Sequence, residues 1–123
     1  MLNTTTTISI ASLIALLPSL TVVADEIQFN RDVRPILANH CFTCHGPDSA
    51  TRKAGLRLDR RESAMQKAES GERTIVPGNL QASELLRRIT AKDDDERMPP
   101  ADGAKPLSAK QITTLKTWIE QGA

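Results

Sequence analysis

The sequence predicts a small all-α domain with long loops, and two observations support this prediction. Three stretches place apolar residues at helical spacing, whereas the segments between them are rich in turn-forming residues. A chain of 123 residues is long enough for one domain with a modest core. The net charge of +1 argues against a nucleic-acid-binding protein, which would favour a clearly basic face.

The N-terminal segment, residues 1–24, is expected to be an export signal, so that the mature domain spans residues 25–123. Residues 8–17 are almost entirely apolar, a Pro-Ser pair interrupts the run, and Val22-Val23-Ala24 is a plausible cleavage site. An uncleaved membrane anchor is the alternative, although the apolar stretch is shorter than the roughly twenty residues of a spanning helix. Export would place the domain in a periplasm or otherwise outside the cytoplasm.

The first predicted helix leads into the two cysteines. Its apolar positions recur at helical spacing: Val33, Ile36, Leu37 and Cys41. Pro35 has no N–H and is tolerated only in the first turn of a helix. Asp32 is therefore predicted as the N-cap in preference to Asn30, because that start puts Pro35 at the third helical position.

The middle of the chain is predicted to be largely irregular. Residues 46–55 and 93–105 are expected to be loops. Leu56 and Leu58 alternate with charged residues, which is typical of a short extended segment. Residues 62–69 are expected to form a short helix and residues 83–90 a clearer one. The apolar face of the latter is formed by Leu85, Leu86 and Ile89.

The last helix is the most clearly predicted element. Ser108 and Gln111 have the spacing of a capping box, and Leu107 can pack on Ile112 as a hydrophobic staple. One face of the helix is apolar: Ile112, Leu115, Trp118 and Ile119. Gly122 is expected to end it.

The motif with the clearest chemistry is Cys41-Phe42-Thr43-Cys44-His45. A C-x-x-C-H pattern is typical of a c-type haem attachment site. On a helical turn, positions i, i+3 and i+4 project from the same face, so two cysteines and a histidine can meet one haem. We therefore expect Cys41 and Cys44 to bond the haem vinyl groups and His45 to bind the iron.

Other uses of these residues are open at this point. An exported C-x-x-C pair can be a thiol–disulfide exchange site, although no βαβ pattern surrounds it here. A Cys41–Cys44 disulfide would close too small a loop to stabilise much. Structural zinc needs four ligands, and His40 with the three motif residues is a cramped set on one short segment.

A second axial ligand is expected from a methionine, which raises the reduction potential of a histidine-ligated haem. Met98 lies in Arg97-Met98-Pro99-Pro100, where two prolines restrict the backbone, and it is the preferred candidate. Met65 lies in a charged stretch that is expected to be helical, and it is expected to be an ordinary, partly buried residue.

The remaining charged residues are given simple interpretations. His40 is expected to be a solvated surface histidine, and the run Asp93 to Glu96 a solvated loop. One residue of a locally basic stretch is expected to hydrogen-bond a haem propionate, because guanidinium suits carboxylates. That stretch contains Arg52, Lys53, Arg57, Arg60 and Arg61.

From Glu26 to Ala123 the chain resembles the planctomycete-type cytochrome c domain, a branch of the class I cytochrome c fold. The matching segments are residues 29–37 (FNRDVRPIL), 41–48 (CFTCHGPD), 53–59 (KAGLRLD), 75–78 (IVPG), 83–86 (SELL), 88–89 (RI), 97–100 (RMPP) and 115–123. The resemblance implies a small class I cytochrome c-like fold with three to five helices around one covalently bound haem c. It also implies that His45 is the proximal and Met98 the distal ligand.

The function that follows is single-electron transfer without bond making, so the chain is expected to be a carrier rather than an enzyme. Related domains usually stand at the N-terminus of larger exported proteins, so it can also be a module of a larger redox enzyme. A redox partner protein and a monomeric state are expected. A haem-based redox or gas sensor and a thiol–disulfide oxidoreductase using Cys41 and Cys44 are the alternative functions.

Overall fold

The computed structural model describes Met1 and residues 25–123. The export signal predicted at residues 1–24 therefore lies, apart from Met1, outside the described residues. The described part is helical and contains no β-strand, in agreement with the all-α prediction. None of its helices combines the length and the apolar composition that crossing a membrane requires.

The described residues form a π-helical turn followed by four α-helices. The turn is Phe29–Val33, and the helices are α1 (Arg34–His40), α2 (Arg61–Met65), α3 (Glu84–Ile89) and α4 (Ala109–Glu120). Long irregular segments join them, including the loops predicted at residues 46–55 and 93–105.

The start of the first helical segment differs from the prediction. Helical backbone begins at Phe29, so Asp32 is not the N-cap and lies inside the π-helical turn. The N–H of Arg34 donates to the carbonyl of Phe29, five residues earlier. This wider turn suits the next residue, Pro35, which has no N–H and whose ring would crowd the carbonyl four residues before it in a regular α-helix. The Asp32 carboxylate instead accepts the N–H of Gln28 at 2.8 Å.

Two predictions for the middle of the chain were only partly right. The helix expected at residues 62–69 ends at Met65, because Gln66 is extended and a turn at Gly71 brings Lys67 opposite Arg73 in an isolated bridge. Leu56 and Leu58 lie in an irregular segment rather than a strand. Leu58 is nevertheless buried, so the alternation correctly marked the inward side chain.

The predicted apolar faces of α3 and α4 and the predicted capping box of α4 are confirmed. Ser83 precedes α3, and Leu85 and Ile89 are buried on its inner face. In α4 the hydroxyl of Ser108 accepts the N–H of Gln111 at 3.2 Å, and the Gln111 side chain returns to the Ser108 N–H at 2.8 Å. Two backbone donors of the first turn are thereby satisfied.

One hydrophobic cluster joins the helices and the irregular segments. Its buried members are Val33, Ile36, Leu37, Leu58, Ala64, Ile75, Leu85, Ile89, Leu115, Trp118 and Ile119. Phe29 of the π-helical turn lies against Trp118 of α4, with ring centroids 5.6 Å apart. The core therefore packs the π-helical turn, which leads into α1 and the cysteine motif, against α4.

Candidate functional site

The residues from Cys41 to His45, here called the Cys-His turn, form one helical turn directly after α1. The N–H of Cys41 donates to the carbonyl of Leu37 at 2.8 Å, and the N–H of His45 donates to that of Cys41 at 2.8 Å. Cys41, Cys44 and His45 thus occupy positions i, i+3 and i+4 of a hydrogen-bonded turn. In a regular helical turn these positions project to one side. The structure brings together these three of the four predicted site residues.

Gly46 ends the Cys-His turn, and the backbone there leaves no room for a side chain. A Cβ atom at this position would lie 2.2 Å from the carbonyl oxygen of Phe42 and 2.9 Å from its carbonyl carbon. Both neighbours are backbone atoms, so no side-chain rotation could relieve the clash. Glycine is required here by close approach rather than by a positive φ.

The imidazole of His45 is oriented by a backbone carbonyl. Its Nδ1 lies 3.2 Å from the oxygen of Lys53, and this contact requires the proton on Nδ1. The Nε2 atom then keeps its lone pair for a metal, which is the arrangement that histidine ligands usually have. Burial lowers the pKa of His45 below its usual value, so the neutral, ligating form is favoured.

The loop after Gly46 folds back onto the Cys-His turn through its main chain. The N–H of Lys53 donates to the carbonyl of Cys44 at 2.7 Å, and the N–H of Leu58 donates to that of His45 at 2.9 Å. Arg52 spans the same loop and donates to the carbonyls of Gly46 and Pro47. Sequence analysis did not find the role of Lys53, because a main-chain carbonyl leaves no signature in the residue type.

Both cysteines are half-buried free thiols. Burial, assisted by the nearby Cys44, raises the pKa of Cys41 to about 11. Cys41 is therefore protonated at neutral pH, whereas a thiol–disulfide exchange enzyme needs a readily formed thiolate.

The two candidate methionines have different surroundings. Met65, at the end of α2, is half-buried and packs against the hydrophobic cluster. Met98 is also half-buried, but it is not among the described side chains that pack on that cluster. Its N–H donates to the carbonyl of Arg88 at 3.0 Å. Met98 thus belongs to a separate region, the segment of residues 91–107, here called the Met98 loop.

His40 is not the solvated surface histidine that was expected. It is half-buried, its Nδ1 lies 2.7 Å from the carbonyl oxygen of Lys105, and its Nε2 lies 3.2 Å from Nε2 of Gln111. Both ring nitrogens are thus used to join α1 to the Met98 loop and to α4. These partners lie more than sixty residues away in the chain, so no local pattern could have indicated them.

The acidic run Asp93 to Glu96 is exposed, as predicted, but it is not merely solvated. Asp94 pairs with Arg97, and Glu96 accepts a hydrogen bond from Arg87 at 2.9 Å. These pairs lie on the Met98 loop and at its junction with α3.

The basic stretch expected to supply a propionate contact is largely engaged with protein groups. Arg57 pairs with Asp59, and Arg61 donates to the carbonyl of Ala123 at 3.1 Å. Arg52 is engaged with its own loop, as described above. Lys53 and Arg60 are the exposed members of the stretch whose side chains make no hydrogen bond or ion pair with the described residues.

Comparison with known proteins places this site in a family. A family model described as planctomycete cytochrome C matches residues 41–102, which are 62 of the 123 residues and include the whole Cys-His turn and Met98. Searches of curated proteins and of solved structures found no match.

Proposed function

The chain belongs to the planctomycete cytochrome C family, and we propose that residues 25–123 form a mono-haem c-type cytochrome domain that carries single electrons. Membership of the family points to a haem cofactor and to electron transfer rather than catalysis. The Cys-His turn carries the proposal, because two free thiols and an oriented imidazole lie on one hydrogen-bonded turn within the matched segment.

Cys41 and Cys44 would hold the haem covalently through thioether bonds to its two vinyl groups. Thioethers form from thiols, and both side chains are free. The raised pKa of Cys41 keeps it in the thiol form at neutral pH. A covalent bond would also prevent loss of the haem from an exported protein.

His45 would bind the iron through Nε2. The Lys53 carbonyl holds the proton on Nδ1, so the tautomer that leaves Nε2 free is the one the structure stabilises. The lowered pKa of the imidazole also favours iron binding, because a protonated ring nitrogen could not bind the iron.

Met98 would supply the sixth ligand. Its half-buried side chain is not engaged in the hydrophobic cluster, whereas Met65 packs against that cluster. A thioether does not titrate, and a histidine–methionine pair raises the reduction potential of the iron.

When bound, the haem supplies a one-electron couple at the iron. The chain would hold both axial donors in place in either redox state, so that no substrate binds to the iron and no bond is made or broken. His45 is held by Lys53, and Met98 is held by its backbone contact to α3. Electrons would then pass from the haem to a partner by outer-sphere transfer.

We further propose that residues 1–24 are an export signal and that the domain acts as a monomer outside the cytoplasm with a redox partner protein. The near-neutral net charge of +1 supports weak electrostatic steering of that partner. The alternative of a thiol–disulfide oxidoreductase is disfavoured by the raised pKa of Cys41.

The first test is a visible absorption spectrum of the full chain, oxidised and then reduced, after periplasmic co-expression with a haem-attachment system. We expect the sharp reduced bands of a c-type haem, and haem that remains with the denatured chain on a stained gel. The Cys44→Ala variant should lose one thioether and most of the holoprotein yield. A colourless chain, from a host that matures a control cytochrome, would contradict the proposal.

The axial assignment is tested by a matched pair of variants, Met98→Leu and Met65→Leu. Both substitutions roughly conserve side-chain volume and are expected to cost less than about 1.5 kcal/mol of stability. Met98→Leu should keep the haem attached, abolish the sulfur-to-iron charge-transfer band and allow carbon monoxide to bind the ferrous protein. Met65→Leu should leave that band unchanged. The same spectrum in both variants would disprove the assignment of Met98.

A further inference from the structure

A cluster of ion pairs connects α3 to the Met98 loop. The carboxylate of Glu84 is only 11% exposed and accepts hydrogen bonds from Arg87 at 2.6 Å and from Arg88 at 2.9 Å. These bonds, chiefly the one from Arg87, hold the pKa of Glu84 below its usual value despite its burial. The spacings of three and four residues along α3 place the three side chains side by side.

Arg87 and Arg88 share this carboxylate but make different contacts with the Met98 loop. Arg87 is 50% exposed and reaches across to the side chain of Glu96, which is itself 54% exposed. An ion pair between two such exposed groups is expected to contribute little. Arg88 is 31% exposed, and its Nη1 donates to the main-chain carbonyl of Glu96 at 3.2 Å.

Arg88 makes a second contact with the Met98 loop through its own main chain. Its carbonyl oxygen accepts the N–H of Met98 at 3.0 Å. The guanidinium therefore holds the backbone two residues before Met98, and the carbonyl holds the backbone of Met98 itself. Contacts to main-chain atoms restrict the position of the loop more directly than contacts to the end of a flexible side chain.

We infer that Arg88, held by Glu84, is a positioning residue for Met98 and keeps its thioether available to the haem iron. This inference rests on the proposed function, because it requires Met98 to be the sixth ligand. Arg88 acts through the loop backbone and does not itself touch the iron or the haem.

The test uses ferric holoprotein titrated with imidazole, which competes with Met98 for the iron. The variant is Arg88→Met, and the matched control is Arg87→Met, which has the same change of charge and the same partner carboxylate. Loss of the Arg88 hydrogen bond should raise the apparent affinity for imidazole about fivefold. Arg87→Met should remain at the wild-type affinity, and Arg88→Lys, which retains one donor group, should be intermediate.

Hydrogen exchange of the Met98 amide provides a readout that does not depend on the iron. Exchange should be about fivefold faster in Arg88→Met than in Arg87→Met, because only the former loses a contact with the loop backbone. Chemical denaturation of each holoprotein shows whether the variant is folded. The inference would be overturned if Arg88→Met and Arg87→Met had the same imidazole affinity and the same exchange rate, whether both stayed at the wild-type values or both rose above them.

The experiment also separates this inference from the proposed function. If the wild type already binds imidazole as tightly as Met98→Leu and lacks the sulfur-to-iron band, Met98 is not the ligand, and the role of Arg88 is overturned together with that assignment. If the wild type has the sulfur-to-iron band and Arg88→Met behaves like Arg87→Met, the proposed function stands and only the positioning role is wrong.

Discussion

The Cys-His turn and the Met98 loop are held in place by different kinds of contact. The Cys-His turn is closed by main-chain hydrogen bonds that span only three to thirteen residues, the shortest from Cys44 to Cys41 and the longest from Leu58 to His45. The Met98 loop is joined to α3 by main-chain bonds from Ala91 and Met98 to the Arg88 carbonyl. Its other polar contacts to α3 and α1 come from side chains, those of Arg87, Arg88 and His40. Loss of a single side chain should therefore disturb the second region more easily than the first, whereas the first should be the more sensitive to an added atom that displaces its main chain.

The difference also suggests a division of labour between the two proposed axial ligands, His45 and Met98. The region that would hold the haem covalently is closed locally and does not depend on ion pairs. The region that would supply the sixth ligand is attached partly through charged groups, whose exposed members are screened by salt. The bond to Met98 should thus be the more adjustable of the two.

The largest expected effect comes from the one position where a side chain would break the Cys-His turn. Gly46→Ala places a Cβ atom 2.2 Å from the Phe42 carbonyl oxygen, so the turn itself must shift. We expect a loss of roughly 3 kcal/mol of stability and of most of the holoprotein. Haem-stained gels and chemical denaturation would measure both quantities.

The control for this prediction lies in the Met98 loop. In Gly103→Ala the added Cβ atom would meet Pro100 no closer than 3.2 Å, which a small adjustment can relieve. Its holoprotein yield should be close to that of the wild type. Similar losses in both variants would show that the two regions do not differ in the way described.

An intermediate effect is expected at His40, which joins the two regions. His40→Ala removes the hydrogen bonds to the Lys105 carbonyl and to the Gln111 side chain. We expect a loss of roughly 1–2 kcal/mol in the free energy of unfolding, measured by denaturant titration. Lys105→Ala retains the carbonyl and should change stability by no more than about 0.5 kcal/mol. A large effect of Lys105→Ala would mean that its side chain, not its carbonyl, forms the connection.

The smallest effect is a pH dependence at the helical segment that leads into the Cys-His turn. Arg31 and the N–H of Gln28 bind the Asp32 carboxylate and lower its pKa from 3.8 to about 2. Because the pKa is lower in the folded chain, the stabilisation is complete above pH 3.8 and is lost as the pH falls towards 2. Asp32→Asn should therefore be less stable than the wild type at pH 6, and the difference should shrink on acidification.

Thermal unfolding at several pH values measures this difference. The Arg31→Gln variant provides the comparison, because Arg31 is the main cause of the lowered pKa. In that background the effect of Asp32→Asn should be smaller. An Asp32 effect that is constant from pH 6 to pH 2 would contradict the assignment.

Helices with a strong local pattern were predicted well, and those shaped by neighbouring segments were not. The α4 helix has its capping box and apolar face as expected, because both depend on residues within one or two turns. The first helical segment begins earlier than predicted, because a π-helical turn accommodates Pro35. The second helix ends at Met65, where the turn at Gly71 draws the chain into a bridge with Arg73.

The candidate site shows the same division. The spacing of Cys41, Cys44 and His45 was enough to predict that they occupy one turn, because a helical turn is a local structure. The preference for Met98 over Met65 also comes from the sequence, through the prolines that follow Met98, and it stays a prediction. The partner of the His45 ring was not predictable, because any residue can present a carbonyl.

By itself, then, the sequence determined the helical class and the Cys-His turn, which depend on residues close together in the chain, and the family, which depends on short motifs along it. Only the tertiary structure decided what holds these parts in place. Lys53 orients His45, His40 joins α1 to the Met98 loop, and Arg88 holds that loop on α3. The physical reason is that hydrogen bonds between distant segments depend on how the chain folds back on itself, and the local periodicity of the sequence does not indicate which distant segments meet.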